Sequence, residues 1–402
     1  MRSGERVPGW LPILLGFLTA VGPASIDMYL PAFPAIESSL HEPPGSAQYS
    51  LATYFAGLAV GQITQGTLAD RFGRRAPLIV STFLYTLTCV ASALAPSILA
   101  LSGFRFVTAI AAAAGMVIPR AIVRDLADGH EAAILLSRLM LVMGVAPILA
   151  PTLGGAILTF ATWRWIFGAM AIYGGVCFVL VCLLLPDTLD PAHRVRLTIQ
   201  EQFQRYRLIL RERGFVSHAA MAGCGTFAFF AYLGGSSPVF IDGFHWSPPA
   251  YAALFGLCAL GLIAASQVNA RIVRRIGTSR ILSTVAVIDL MATATLTAVA
   301  FAGIHRVEAV VPPIFVFVTC QGFLNPNATV GALSRHASHA GSASALMGMG
   351  QFLLGAVSGL LVGVFTDGTP RGMGALMLVG ACGIFLANAY RLSVGGSERR
   401  GL

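Results

Sequence analysis

Apolar runs long enough to cross a bilayer follow one another along almost the whole chain, and no other feature constrains the fold as much. A transmembrane helix needs about 20 mostly apolar residues. Runs of that order occupy residues 10–34, 48–69, 76–95, 97–119, 133–159, 165–186, 215–240, 249–272, 279–302, 309–331, 342–365 and 372–392. In lipid each backbone polar group must be satisfied internally, so such runs fold as helices. Twelve of them take up most of the 402 residues. Only short loops, one longer connector and two tails are left, too little for a separate catalytic domain. The composition agrees: 11% of the residues are charged, against about 25% in a soluble domain.

The sequence therefore predicts an all-α integral membrane protein, with twelve transmembrane helices in two pseudo-symmetric six-helix bundles. Residues 1–186 form the first bundle, 187–214 a connector, and 215–402 the second bundle. The net charge of +9 comes from arginine alone, for the chain has no lysine. Nucleic-acid binding needs such charges gathered on one folded face, whereas here they sit in small clusters between apolar runs. Counted over alternate loops from the N-terminal tail, 22 arginines fall on one side of the membrane. The other side has Arg164, Arg306 and Arg371, and Arg105 lies inside a span. The positive-inside rule then places both termini and the connector in the cytoplasm. The seven cysteines all lie in apolar segments without metal-ligand spacing, so neither a disulfide framework nor a metal site is expected. No phosphate-binding loop is present, so any driving energy comes from an ion gradient, with no cofactor.

The halves repeat at an offset of about 204 residues. Arg71-Phe72-Gly73 matches Arg275-Ile276-Gly277, and Gly144 and Gly155 match Gly348 and Gly359. Parallel repeats around a central connector are a transporter signature, with substrate bound between the halves.

Three stretches carry chemistry. The loop after the second span reads Gly66-Thr67-Leu68-Ala69-Asp70-Arg71-Phe72-Gly73-Arg74-Arg75. Arginines there fix topology, but Asp70 needs another role, either capping a helix or pairing with an arginine. The fifth span contains Gly144, Pro147, Ala150, Pro151, Gly154 and Gly155. Proline removes a backbone donor and small residues allow close helix packing in lipid. Asp27 lies in the first span, within Asp27-Met28-Tyr29-Leu30-Pro31-Ala32-Phe33-Pro34. Ionised, it costs several kcal/mol in lipid, so it is a functional candidate by default. Counting about 1.5 Å per residue, Arg105 in the fourth span lies at a similar depth, and the two are expected to meet. Desolvation favours the neutral form of Asp27, as suits a proton carrier, while an ion pair with Arg105 would favour the charged form.

These stretches resemble the major facilitator superfamily. Gly66 to Arg75 is similar to its cytoplasmic loop motif G-x-L-A-D-R-x-G-R-R. The resemblance implies a gate in which Asp70 and Arg74 pair with Asp125, an acid at the end of the fourth helix. Arg274 stands where the second half would repeat Asp70, so the gate is expected on one side only. The fifth span resembles the antiporter motif of twelve-helix drug:proton antiporters. The first span resembles the Bcr/CflA-type drug-resistance transporters, with Thr19 where some relatives carry a second acid. Arg105-Phe106-Val107-Thr108-Ala109 resembles their fourth-helix motif R-x-x-Q-G/A, with Thr108 replacing Gln.

The resemblance implies proton-coupled antiport that exports small amphipathic drugs or antibiotics from a bacterial cytoplasmic membrane. Asp27 and Arg105 would serve proton coupling in a monomer surrounded by lipid. An exporter of a metabolite such as an amino acid or sugar is the alternative. Tyr29, Tyr54, Phe55, Phe227, Phe230 and Tyr232 are candidates for an aromatic drug cavity, and Asn327 and Gln351 for polar contacts to substrate. Asp289, mid-span in helix nine, is left between a packing and a transport role.

Overall fold

The computed structural model describes residues 9–126, 129–189, 199–334 and 340–400. Fourteen α-helices occur among them. In the first half these are α1 (Leu11–Asp27), α2 (Phe33–Leu40), α3 (Ala47–Phe72), α4 (Arg75–Ala93), α5 (Ile98–Leu126), α6 (Gly129–Ile157) and α7 (Arg164–Leu184). In the second they are α8 (Ile199–Arg211), α9 (Arg213–Ser237), α10 (Pro248–Ile276), α11 (Thr278–Phe301), α12 (Val307–Leu333), α13 (Ala340–Phe365) and α14 (Pro370–Arg400). They form two compact units: α1 to α7, and α8 to α14 together with residues 43–48.

Ten stretches of the described residues are long and apolar enough to cross a membrane, α1 and α2 counting as one. α3 and α6, of 26 and 29 residues, are long enough to be the other two of the twelve expected spans. The expected fold class therefore holds. Length matters at the ends: α5, with 29 residues, is about 43 Å long, against about 30 Å of hydrocarbon. α5 therefore has length to spare for carrying its charged last turn, with Asp125, beyond the apolar layer.

The first span differs from the continuous run that hydropathy suggests. α1 ends at Asp27, and a 3-10 turn over Leu30–Ala32 intervenes before α2. The cause lies in the sequence. Pro31 has no N–H to return to the carbonyl of Asp27, and Pro34 has none for Leu30. The seventh span breaks late too, α9 passing into a π turn over Pro238–Gly243.

The 204-residue repeat is visible in the backbone. Gly73 (φ +89°) and Gly277 (φ +83°) share it, ending α3 and α10 in a conformation that suits glycine. So do His41 and His245, with φ of +57° and +56° after the first and seventh spans. Pro34 and Pro238 match at the same offset.

Candidate functional site

Two clusters in the first unit hold the residues singled out by sequence. The first lies where α3 and α5 end and α4 begins. Arg74, buried, donates from Nη1 to Asp70 Oδ1 at 2.6 Å and from Nε to Asp125 Oδ2 at 2.8 Å. Its Nη2 reaches Asp125 Oδ1 at 3.3 Å. Burial lowers the affinity of this guanidinium for its proton, but the two carboxylates outweigh burial and hold its pKa above the ordinary arginine value. Asp70 is more than half exposed while Asp125 is mostly covered, so the strength lies in the two-pronged contact with Asp125.

Sequence reasoning missed Asp187. Its Oδ1 accepts the backbone N–H of Arg74 at 2.8 Å and that of Leu189 at 3.4 Å. A Cβ at Gly73 would overlap the Asp187 carboxylate, so Gly73 is needed for space as well as for its φ. Thr188 donates to Asp125 Oδ2 at 3.3 Å, and Arg75 Nη2 to the Cys182 carbonyl at 2.8 Å. Asp187 to Leu189, assigned by sequence to the connector, thus tie the end of α7 to the loop motif. Arg71 instead lies over Phe72, 5.4 Å from its ring centre, and Gly66 on α3 stands beside Val117 of α5.

The second cluster surrounds Arg105, fully buried on α5. Its Nη2 donates to the Ser25 carbonyl of α1 at 2.6 Å. The guanidinium carbon lies 4.3 Å from the ring centre of Tyr29, 4.0 Å from Tyr54 and 5.7 Å from Phe167. Among the described residues Nε and Nη1 have no hydrogen-bond acceptor; ring faces take that place. Hydroxyls frame the cage. Tyr85 and Ser25 are 2.5 Å apart, Tyr29 and Ser50 3.4 Å apart, and Tyr54 donates to the Gly22 carbonyl at 3.4 Å. Thr108 hydrogen-bonds Thr88 at 2.9 Å, so the smaller replacement for glutamine is satisfied within the bundle.

The expected ion pair between Asp27 and Arg105 does not form. The similar depth that suggested it says nothing of direction around each helix, and Arg105 turns to the tyrosines and the Ser25 carbonyl. Asp27 is 5% exposed at the helix break, and among the described residues its carboxylate has no hydrogen-bond or ionic partner. The antiporter motif packs against the same place. A Cβ at Gly154 of α6 would overlap the carbonyl of Met28. Pro151 and Gly155 are buried on the same helix; Gly144 and Pro147 lie on α6, but their surroundings fall outside the described side chains.

The other candidates are distributed. Tyr29 and Tyr54 serve the arginine cage, with Phe55 packed against Tyr54, ring centres 6.4 Å apart. In the second unit Phe230 stacks on Phe352 and Tyr232 on Phe255. The Phe227 carbonyl accepts from Ser358 at 2.7 Å. Asn327 donates to Asn269 Oδ1 at 2.6 Å, an α12 to α10 contact within the bundle, and Gln351 is half-buried on α13. Asp289, buried on α11, accepts from Gln321 of α12 at 3.3 Å.

A chain of two units of long apolar helices, with an embedded carboxylate and a charged interhelical loop, has the architecture of a membrane transporter. The comparisons with known proteins give the family. Residues 15–360 match the Major Facilitator Superfamily, and the chain belongs to it. It is 36% identical over 374 residues to YdgK of Bacillus subtilis (strain 168), an uncharacterised transporter of that superfamily, covering 92% of each chain. It is 28% identical over 378 residues to a bicyclomycin resistance protein homolog of Haemophilus influenzae, covering 94% of each. Among solved structures, a D-xylose-proton symporter superimposes with a TM-score of 0.72 at 16% identity, over 95% of each chain; this likeness concerns the fold. The chain is thus a multi-pass membrane transporter of small molecules, similar to the Bcr/CflA-type drug-resistance transporters.

Proposed function

We propose that this protein is a proton-coupled antiporter exporting small amphipathic drugs from the cytoplasm of a bacterium. It acts as a monomer in the inner membrane with both termini cytoplasmic, and draws its energy from the proton gradient without a cofactor. The observation that carries the reading is Asp27: a buried carboxylate at a proline-made helix break, without a counter-ion among the described residues, next in the chain to Met28, whose carbonyl meets Gly154 of the antiporter motif. A carboxylate so placed can take up a proton in one state of the transport cycle and give it up when substrate enters.

Arg105 sets the local potential. Its hydrogen bond to the Ser25 carbonyl ties α5 to the turn of α1 that ends at Asp27, so movement of the arginine cage is passed to the helix break. Asp70, Arg74, Asp125 and Asp187 act as the cytoplasmic latch that closes when the site faces outward. The relative named for bicyclomycin resistance supports drug export rather than uptake. The experiment is proton release from purified protein in weakly buffered detergent on addition of a panel of antibacterial compounds. A compound to which the protein confers resistance in an efflux-deficient host should release protons from the wild type and none from Asp27→Asn. Undiminished release from that variant would overturn the assignment.

A further inference from the structure

Helix α8 has an unusual order of faces. Tyr206 and Ile209 are buried, with α9 and α13 as its neighbours within the second unit. Phe203 and Leu210, seven residues apart and so on one face, are 70% and 53% exposed. Next around the helix come Arg207 and Arg211, one turn apart and both exposed. Among the described residues neither has a carboxylate partner. From the buried face the order around the cylinder is apolar and uncovered at Phe203 and Leu210, cationic at Arg207 and Arg211, and then apolar again at the lone Leu208, 63% exposed.

Large apolar side chains exposed in a charged segment call for a non-aqueous surface. The chain itself shows which surface is at hand. α8 ends at Arg211, and Glu212 caps the start of α9 by accepting the N–H groups of Gly214 and Phe215. A single residue thus separates α8 from a membrane span. Two side chains are far less than the roughly 800 Å² per partner of a stable protein interface, but they suffice for a helix already tethered to a bilayer.

We propose that α8 lies in the plane of the cytoplasmic leaflet and binds anionic phospholipid. Phe203 and Leu210 enter the acyl boundary, as in interfacial amphipathic helices, and Arg207 and Arg211 hold the headgroup phosphates through paired N–H donors. The proposal rests on the topology that puts the connector in the cytoplasm. It links the anionic lipid content of the membrane to the segment joining the two units.

The test uses the full chain carrying Phe203→Trp, reconstituted in phosphatidylcholine vesicles with and without phosphatidylglycerol. Emission is measured above that of the four native tryptophans, with bromine on the acyl chains of either lipid as quencher. Brominated phosphatidylglycerol should quench the added emission more strongly than brominated phosphatidylcholine. Replacing Arg207 and Arg211 by Gln should weaken that preference roughly fivefold each, on the order of 25-fold together; the single variants preserve the test if the double variant does not fold. Arg205→Gln, on another face, should leave the preference unchanged. Added emission quenched by neither lipid, equal quenching by both, or a preference that survives loss of both arginines would overturn the proposal. Quenching reads contact and not transport, so a negative result leaves the antiport reading intact.

Discussion

Arg105 and Gly154 show how much of this site is decided by single atoms. Burying a guanidinium without a carboxylate costs several kcal/mol. A charged hydrogen bond to the Ser25 carbonyl returns about 1.5–3 kcal/mol, and each desolvated ring face about 2 kcal/mol. Neither alone offsets the burial, so the arginine needs the carbonyl and both tyrosines. Lysine supplies a point charge without a flat face. Arg105→Lys is therefore expected to lose at least one ring contact of about 2 kcal/mol. Resistance and drug-driven proton release should fall by more than tenfold while the protein still inserts, as checked by size-exclusion behaviour and thermal unfolding in detergent. Gly154→Ala tests the other side of the break. The added methyl meets backbone, which cannot swing away, so overpacking should destabilise the first unit by about 1–3 kcal/mol. A thermal midpoint equal to wild type would show that α6 shifts freely and that the close approach to Met28 is unimportant.

At the scale of elements, the latch joins the ends of α3, α5 and α7 through one arginine, and its two carboxylates are unequal. The Asp70 pair is an exposed i,i+4 contact worth about 0.3–0.5 kcal/mol. Removing Asp125 instead leaves a mostly buried guanidinium short of its two-pronged partner, costing about 3 kcal/mol or more. Double-mutant cycles on thermal or denaturant unfolding should give a markedly larger coupling for Arg74 with Asp125 than with Asp70; equal couplings would contradict the geometry. Asp187→Ala should act through backbone, freeing the Arg74 N–H at a cost of about 1 kcal/mol, with Asp187→Asn milder because the amide oxygen still accepts. Asp70, Arg74 and Asp125 were legible in the sequence because a contiguous loop motif implies them. Asp187 was not, since a carboxylate that accepts a main-chain N–H more than a hundred residues away leaves no spacing to read. The break after Asp27 escaped for another reason. Hydropathy sums side chains, whereas Pro31 and Pro34 act on hydrogen bonds. Depth counting placed Asp27 and Arg105 at one level, but it carries no rotation about the helix axis, which decides whether two side chains meet.

The whole molecule is a duplicated design whose halves share backbone and differ in charge. Gly73 and Gly277 close the same turn, and the left-handed residues His41 and His245 close the first and seventh spans in the same way. Yet Thr278 stands at the position matching Arg74, and Arg274 at that matching Asp70, so the latch exists in the first unit without a copy in the second. Duplication explains why the turns repeat, since a turn needs only local φ values, while a charged latch needs three separate elements to supply partners. The same charges orient the chain. With 22 arginines on one set of loops and short loops on the other, the positive-inside rule gives a sharp expectation for the outer turn between α11 and α12, at Gly303, and for the turn between α10 and α11, at Gly277. Alkaline phosphatase, active only outside the cytoplasm, should be active when fused after Gly303 and inactive when fused after Gly277; a fluorescent protein that matures in the cytoplasm should show the reverse. The opposite pattern would invert the topology, placing the Arg74 latch and the arginines of α8 outside and removing the basis for both the cytoplasmic gate and the inner-leaflet lipid contact. It would leave the cage around Arg105 as it is, because ring faces and a carbonyl hold that charge whichever way the bundle points.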